Sequence, residues 1–267
     1  LNMDAVYARP LNTLGTSAVA LGGYAEAHAV FAGTDGVNEG WSFVIPRLTL
    51  FVSADINDRI RFLTEIELEE GGREINIEYA ALDLVFHPLF TVRGGVVLNP
   101  IGAFNQNHDG PRWDFIERPL ASTTIIPSTW SNVGFGAYGK TSNGIWTWGY
   151  EAYLTNGFDQ RIIDNDQGRT WLPATKENSE RFTESFNGSA MTTLKTALRH
   201  QRFGEVGLSW MGGVYNKFQD DGLELRHDRL QLIRNFFNYV ADRLVYTFAE
   251  VLAFVIVAKL YCFVFAR

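Results

Sequence analysis

The chain has little cysteine and little positive charge, and both shortages exclude classes of protein. Cys262 is the single cysteine, so neither an internal disulfide nor a Cys-based zinc knuckle can hold the fold. Lys and Arg number 23 against 30 Asp and Glu, a formal charge of −7. That balance lacks the basic footprint that binding to a phosphate backbone needs. We therefore expect no nucleic-acid partner.

Motifs for metal, cofactor or nucleophilic chemistry are also missing. No HxH or HExxH spacing, GxSxG elbow or Cys/His pairing occurs. Gly134 to Gly139 (GFGAYG) has the spacing of a dinucleotide fingerprint, but an aromatic strand pattern follows it instead of a helix. We expect no metal, no cofactor and no enzyme activity. The five histidines are isolated: His28, His87, His108, His200 and His227.

Glycine and proline disappear abruptly after Gly222, and the last 45 residues contain neither. From Leu230 to Val255 apolar residues recur at three- and four-residue steps, which predicts a helical tail over 223–267. Leu244 to Phe265 is long enough to cross a bilayer, although Glu250 and Lys259 interrupt it, so a transmembrane helix remains an alternative. We hypothesise that this tail derives from a shifted reading frame or a fusion.

The body of the chain has few helix-like patterns and instead alternates apolar and polar residues. In Ile60 to Glu70, apolar side chains and Thr64 share one face and charged side chains the other. Similar runs occur at Val19–Phe31, Phe90–Leu98 and Val206–Val214, and each spans about nine to thirteen residues. That length crosses a membrane when a strand is tilted. Residues 18–222 are therefore predicted to be strands, after an N-terminal extension over 1–17.

The connections between these strands alternate between tight and long. This pattern is typical of an up-and-down antiparallel transmembrane barrel with unequal rims, and a soluble sandwich has no reason to sort its loops in this way. The tight connections are Asn57–Arg59, His87–Leu89 and Thr141–Gly144, and the long ones are Ala32–Gly40, Asn99–Asn132 and Thr155–Gly188.

Three local features refine the prediction. The apolar parity of Ile75–Phe86 switches, which predicts a bulge near Ala80. Pro46 predicts a break in the second strand because proline cannot donate a ladder hydrogen bond. An aromatic set suits a girdle at the level of lipid headgroups, with a sandwich core as the alternative. That set is Trp146, Trp148, Tyr150 and Trp210.

From about Gly22 to Asp221 the chain resembles outer-membrane porins related to the phosphate-selective porins O and P. The most specific pieces are ERP at Glu117–Pro119, IIPSTW at Ile125–Trp130, and FVSADINDRIRFLTEIELE. The resemblance implies a barrel of sixteen to eighteen strands, usually trimeric, with a long external loop folded into the lumen. Asn99–Asn132 follows the fifth predicted strand, where that constriction loop is expected. Because only about ten strands fit before Gly222, the chain would contain roughly the first half to two-thirds of such a barrel.

These arguments predict an all-β outer-membrane porin that lets small hydrophilic solutes or anions diffuse passively. The bacterial outer membrane is the expected location, its lipid the expected surroundings, and a homotrimer the assembly that the resemblance implies. The loop and the third strand carry an acidic excess, so we expect weak selectivity rather than phosphate selectivity. The predicted pore-lining and constriction residues are Arg61, Glu65, Glu67, Arg93, His108, Asp109, Arg112, Asp114, Glu117, Arg118, Lys195 and Arg199.

Two other functions remain open from the sequence. One is a plugged or ligand-binding outer-membrane barrel that recognises a ligand on its long loops. The other is a soluble all-β hydrolase or lyase acting on polysaccharides. It would use a pair of carboxylates from Glu65, Glu67 and Glu69, which share one strand face at two-residue spacing.

Overall fold

The computed structural model of the chain describes residues 1–13, 18–113, 118–178 and 180–215. The helical tail expected over 223–267 lies outside the described residues. The fold is mainly β-sheet, with twelve strands in the described part. They are β1 (Leu11–Thr13), β2 (Val19–Ala25), β3 (His28–Thr34), β4 (Val37–Val44), β5 (Arg47–Asn57), β6 (Ile60–Glu69), β7 (Glu74–His87), β8 (Phe90–Leu98), β9 (Ser131–Asn143), β10 (Trp146–Asn156), β11 (Ala190–His200) and β12 (Gly204–Gly212).

Helical structure in the described part of the chain consists of short segments of three to six residues. None of the helices in the described ranges is long and apolar enough to cross a membrane. The α-helix α1 is Ala121–Thr124, and the 3₁₀ turns are Asn2–Val6, Asn105–Asn107, Gly110–Arg112, Gln160–Ile162 and Leu172–Glu177.

Ten of the strands form one sheet in the order β1-β2-β5-β6-β7-β8-β9-β10-β11-β12, and all neighbours are antiparallel. The predicted up-and-down antiparallel connectivity is therefore confirmed. β1 and β12 each have one neighbour among the described strands. The sheet also begins earlier than expected, because Leu11–Thr13 pairs with β2 instead of belonging to an extension that ends at residue 17.

The prediction of one continuous strand over Val19–Phe31, followed by a loop at Ala32–Gly40, is wrong. β3 and β4 form a hairpin of their own around Asp35 and Gly36, both with positive φ, which suits a two-residue turn. Their separation from the main sheet coincides with the break at Pro46 that the sequence predicts, since β4 ends at Val44 and β5 starts at Arg47.

The predicted bulge in β7 is also confirmed. Glu65 pairs with Tyr79 and Ile66 with Ile77, which leaves Glu78 as the extra residue. Glu78 and Tyr79 are consequently both buried on the same side of the sheet. A bulge re-aims side chains in this way.

The two sides of the sheet have the reverse of the polarity found in soluble proteins. Along β11, Met191, Thr193 and Lys195 are buried, whereas Leu194 and Leu198 are 43% and 45% exposed. Across the described residues, 24 polar or charged side chains are buried against 18 hydrophobic ones, while 31 large hydrophobic side chains are exposed. Soluble monomers rarely expose extensive apolar patches. We call the buried polar side the inner face and the exposed apolar side the outer face.

Large rings lie on the outer face near both ends of the strands. Trp146 is 46% exposed beside a tight turn, whereas Phe135, which pairs with Leu154, is 62% exposed near the long loops. Leu154 is eight residues from Trp146, or roughly 27 Å at about 3.4 Å per residue. The nine residues from Trp146 to Leu154 are therefore about as many as a tilted strand needs to cross a bilayer.

Candidate functional site

The N-terminal residues 1–9 and residues 99–113 and 118–130 of the long loop lie over the inner face. The 3₁₀ turn Asn2–Val6 buries Met3, Ala5 and Val6. Val6 packs into a cluster with Leu63, Tyr79, Ala81, Val97, Leu98 and Tyr153 of the sheet. The apolar side of this short turn therefore holds the segment against strands whose inner face is otherwise mainly polar.

Asn105 fixes the base of the long loop. Its amide nitrogen donates to the carbonyls of Asn99 and Trp130 at 2.7 and 2.9 Å, and its amide oxygen accepts from the Trp130 amide at 2.7 Å. The Trp130 ring in turn stacks on Phe158, with 6.0 Å between centroids. One side chain thus joins the two ends of the loop.

Arg9 joins the N-terminal segment, the sheet and the loop. Its guanidinium donates to Glu65 of β6 at 2.9 Å and to Asp109 of the loop. It also lies over the Phe51 ring, 4.7 Å from the centroid. The Arg9 and Glu65 side chains are 1% and 2% exposed. A pair this deeply buried is costly to break, since the remaining charge has no solvent.

His108 is the loop side of the same cluster. Its Nε2 lies 3.2 Å from Glu65 and its Nδ1 2.8 Å from the Asn105 carbonyl. Burial by itself lowers the pKa of His108, but the charge of Glu65 and the hydrogen bond to it outweigh burial, so the pKa is raised above the ordinary value. Protonated His108 therefore strengthens the attachment of the loop to β6.

A second cluster surrounds Arg93 of β8. Its guanidinium makes two hydrogen bonds to Asp83 at 2.7 and 2.9 Å and one to the Tyr7 hydroxyl at 3.0 Å. It also lies over the Tyr138 ring, 4.3 Å from the centroid. Tyr138 in turn donates to Asp83 at 2.5 Å. The Arg93 charge is therefore fully paired inside the protein.

A third cluster centres on Gln106 of the loop. The Gln106 amide nitrogen donates to both carboxylate oxygens of Glu151 at 2.7 and 2.8 Å. Lys195 donates to the amide oxygen of Gln106 at 2.7 Å. The side-chain amide of Asn2 in the N-terminal segment donates to the Gln106 side-chain oxygen at 3.4 Å. The backbone amide of Asn2 donates to the Glu205 carboxylate of β12 at 2.7 Å. The loop and the N-terminal segment thus cross the inner face together.

The remaining predicted residues have separate positions. Arg61 lies over the Tyr7 ring, 5.3 Å from its centroid, and Arg112 donates to Asn107 at 2.8 Å and to the Ala8 carbonyl. Arg118 donates to Thr129 at 3.1 Å. Arg199 is exposed. Asp114 and Glu117 lie outside the described residues. Glu65, Glu67, Arg93, His108, Asp109 and Lys195 are buried on the inner face.

Several residues of the site are absent from the sequence-based prediction. They are Asn2, Tyr7, Arg9, Glu78, Asp83, Gln106 and Glu151. Glu78, Asp83 and Glu151 occupy inner-face positions of their strands, so alternation could have found them. The N-terminal residues have no periodic pattern, and no comparable signal existed for them.

The arrangement leaves no open pair of carboxylates on β6. Glu65 binds Arg9 and His108, and Glu67 accepts a hydrogen bond from Thr49 at 3.3 Å. Both glutamates are 1% exposed, so neither faces a cleft within the described chain that a sugar could enter. The geometry therefore gives no support to a hydrolase that uses this pair.

Comparisons with known proteins give one relative and a distant structural likeness. No family model matches the chain. An uncharacterized protein of Aquifex aeolicus (strain VF5) is 37% identical over 147 residues, 52% of this chain and 32% of the relative. The chain thus spans about a third of the length of this curated relative. OmpTdeltaL8, a loop L8 deletion mutant of OmpT, an outer membrane protein of Vibrio cholerae, is 9% identical with a TM-score of 0.33, over 74% of this chain and 70% of that one.

Proposed function

We propose that the chain is the wall of an outer-membrane β-barrel porin, through which small hydrophilic solutes diffuse passively. The reversed polarity of the sheet is the observation that carries this proposal. In lipid, a strand buries its polar side chains toward a lumen and presents apolar ones to the acyl chains. Burial alternates along the whole of β10 and from Ala190 to Leu198 of β11.

The inner face supports a narrowed, water-filled lumen. It carries the charged clusters around Arg9, Arg93 and Gln106, and the described residues of the long loop, 99–113 and 118–130, lie across it. A loop folded inward in this way would set the size of solute that passes. The N-terminal residues 1–9 would narrow the lumen further.

Barrel closure requires partners for the edges of the sheet. Among the described strands, β1 and β12 each lack a second neighbour, and open sheet edges do not occur in the hydrocarbon region because their backbone groups would be unsatisfied. We propose that further strands of a longer parent chain, or of another copy, pair with these edges. A homotrimer related to the porins O and P is the assembly that we propose on the resemblance.

The charges of the inner face favour weak selectivity. Seven acidic residues are buried in the described chain and three arginine or lysine residues. A phosphate-selective channel would line its constriction with an excess of unpaired cations. Arg9 and Arg93 are instead paired with carboxylates. We therefore propose a general diffusion pore rather than a phosphate channel.

Single-channel recording in planar bilayers tests the pore. We expect stepwise ohmic conductance from the purified protein and a reversal potential that does not separate phosphate strongly from chloride. Arg112→Gln removes a positive charge from the loop, so it should shift the reversal potential in a salt gradient toward that of a cation-selective pore. Arg73→Gln, an exposed residue of the turn after β6, is the matched control and should leave it unchanged. Membrane insertion without conductance would contradict the pore.

A plugged barrel is the second candidate, because the N-terminal segment contacts strands as far apart as β6 and β12. Arg9 reaches Glu65 and Asn2 reaches Glu205. In this case the protein inserts, shows no channel steps, and binds a ligand on its long loops. The conductance measurement therefore separates the two functions.

A further inference from the structure

Three carboxylates meet on the inner face where β6 and β7 approach the long loops. Glu67, Glu69 and Glu78 each place one carboxylate oxygen within 4.8 Å of the others. Two oxygens bound to one Ca²⁺ at about 2.4 Å are at most about 4.8 Å apart. We call these three residues the Glu67 cluster. Their spacing therefore already matches that of ligands around one cation.

The cluster contains buried oxygens that have no hydrogen-bond partner. Glu67 and Glu78 are 1% and 0% exposed, and the Oε2 atom of each accepts no hydrogen bond. The cations nearby contact the other oxygens. Lys176 lies 3.1 Å from Glu78 Oε1, and Arg47 lies 3.6 Å from Glu67 Oε1. Burying a carboxylate oxygen without a partner is costly, so two such oxygens within one cluster point to a missing positive ligand.

The backbone is built to bring these groups together. Glu78 is the extra residue of the β7 bulge and has no register partner on β6. The bulge sets its side chain on the inner face, between the levels of Glu65 and Glu67. Bulges are recurrent at functional sites because they re-aim one side chain.

We propose that the Glu67 cluster binds one hard divalent cation, of the class of Ca²⁺. Hard cations take oxygen ligands, and carboxylates are the preferred ones. Such a cation would share Glu78 with Lys176, which also donates to the Ser128 carbonyl at 3.0 Å. The ion would therefore strengthen the point where the wall meets both long loops. The sequence predicts no metal because its histidines are isolated, but a site made only of carboxylates does not require histidine.

The other group of possible ligands differs in an instructive way. Glu65, His108 and Asp109 also lie within 4.8 Å of one another. There the Arg9 guanidinium donates to both carboxylates, so a positive group already occupies the position that a metal would take. In the Glu67 cluster, no single side chain of the described residues joins the three carboxylates.

Arg118 and Arg47 are the competitors for the cluster, since Nε and Nη1 of Arg47 are buried without hydrogen-bond partners close to Glu67. The Nε and Nη2 atoms of Arg118 are also buried without hydrogen-bond partners, and the charge of Arg118 acts on Glu67. If either arginine turned toward the free oxygen of Glu67, it would satisfy that oxygen without an ion. A proton shared between Glu67 and Glu78 would do the same. The experiment must separate these possibilities from a bound cation.

Calorimetric titration of Ca²⁺ into the protein in detergent free of lipopolysaccharide provides that test, with Mg²⁺ as a second titrant. We expect one saturable Ca²⁺ site per chain. Glu67→Gln and Glu78→Gln, which keep the side-chain shape, should each weaken Ca²⁺ binding at least tenfold. Asp58→Asn removes an exposed carboxylate in the tight turn between β5 and β6 and should leave Ca²⁺ binding unchanged.

A second measurement protects the test against variants that fail to fold. Ca²⁺ should raise the unfolding temperature of the unmodified protein relative to a chelator, because a ligand that binds the folded state stabilises it. The proposal is overturned if the unmodified protein binds no Ca²⁺, which would favour Arg118, Arg47 or a shared proton. It is equally overturned if folded Glu67→Gln and Glu78→Gln bind Ca²⁺ like the unmodified protein. Neither result depends on conductance, so a negative result for the cation site can be distinguished from a negative result for the pore.

Discussion

Replacing Arg9 by methionine should destabilise the protein strongly, although the residue belongs to a segment that carries no sequence pattern. Methionine keeps an apolar stem against Phe51 and removes the guanidinium. Glu65 and Asp109 would lose the group that joins them. Because Glu65 is almost inaccessible to solvent, water cannot replace Arg9 there.

The expected loss follows from the burial of this pair. Removing one partner of a buried ion pair costs about 3 to 5 kcal/mol. Glu65 keeps His108 at 3.2 Å, and Asp109 keeps Arg112 at 3.7 Å. These remaining contacts place the expected loss near the lower end, about 3 kcal/mol.

Denaturant unfolding of the refolded protein in lipid vesicles measures this free energy. The double variant Arg9→Met/Glu65→Gln should recover part of the loss, with a coupling energy of up to about 3 kcal/mol. Arg73→Met, at an exposed position, is the control and should change stability by less than about 0.5 kcal/mol. If Arg9→Met behaved like this control, the N-terminal segment would not be anchored on the inner face and the reasoning would be refuted.

Three further predictions concern pH, lipid contact and packing. The pKa of His108 is raised above its ordinary value of 6.5. The contribution of protonated His108 to the free energy of unfolding is therefore complete below about pH 6.5 and is lost as pH rises through the raised pKa. The free energies of unfolding of the unmodified protein and of His108→Gln should become equal at high pH. Leu194→Arg places a charge on the outer face and should cost about 2 to 4 kcal/mol in vesicles. Gly136→Ala should cost about 1 to 3 kcal/mol, because a Cβ there would lie 2.0 Å from the Ala152 carbonyl oxygen.

Each of these has a control or a contrary result. A stability difference for His108→Gln that grew with pH would contradict the assigned sign. Leu194→Arg would be nearly neutral if the outer face met water. Gly94→Ala is the control for packing, since the nearest atoms to its Cβ would be 3.8 Å away.

Most of the correct predictions came from the alternation of apolar and polar residues along the strands. It set the faces of β6 and β10, and its failure in β7 revealed the bulge. The break at Pro46 followed from the missing backbone donor. These features are local, and the period of a strand reports them directly.

Features that depend on distant contacts were not predictable in the same way. Asn2–Val6 is a 3₁₀ turn that is too short for a periodic pattern. The role of Arg9 depends on its hydrogen bonds to Glu65 and Asp109, which are distant in the sequence. The hairpin of β3 and β4 was mistaken for a strand and a loop because its residues alternate weakly around Gly33 and Gly36. Long-range contacts determine the positions of Asn2–Val6 and Arg9, whereas the hairpin is closed locally by the turn at Asp35 and Gly36.

The most direct test of the account is a nitroxide scan along β11 in lipid vesicles. In a Cys262→Ser background, single cysteines at residues 191–198 would carry the label, and its collisions with oxygen and with a water-soluble nickel chelate would be compared. We predict a two-residue period, with oxygen contact highest at Leu194, Thr196 and Leu198 and low at Thr193, Lys195 and Ala197. Nickel contact at the first set, equal to that of a soluble protein surface, would contradict the claim that the outer face meets lipid.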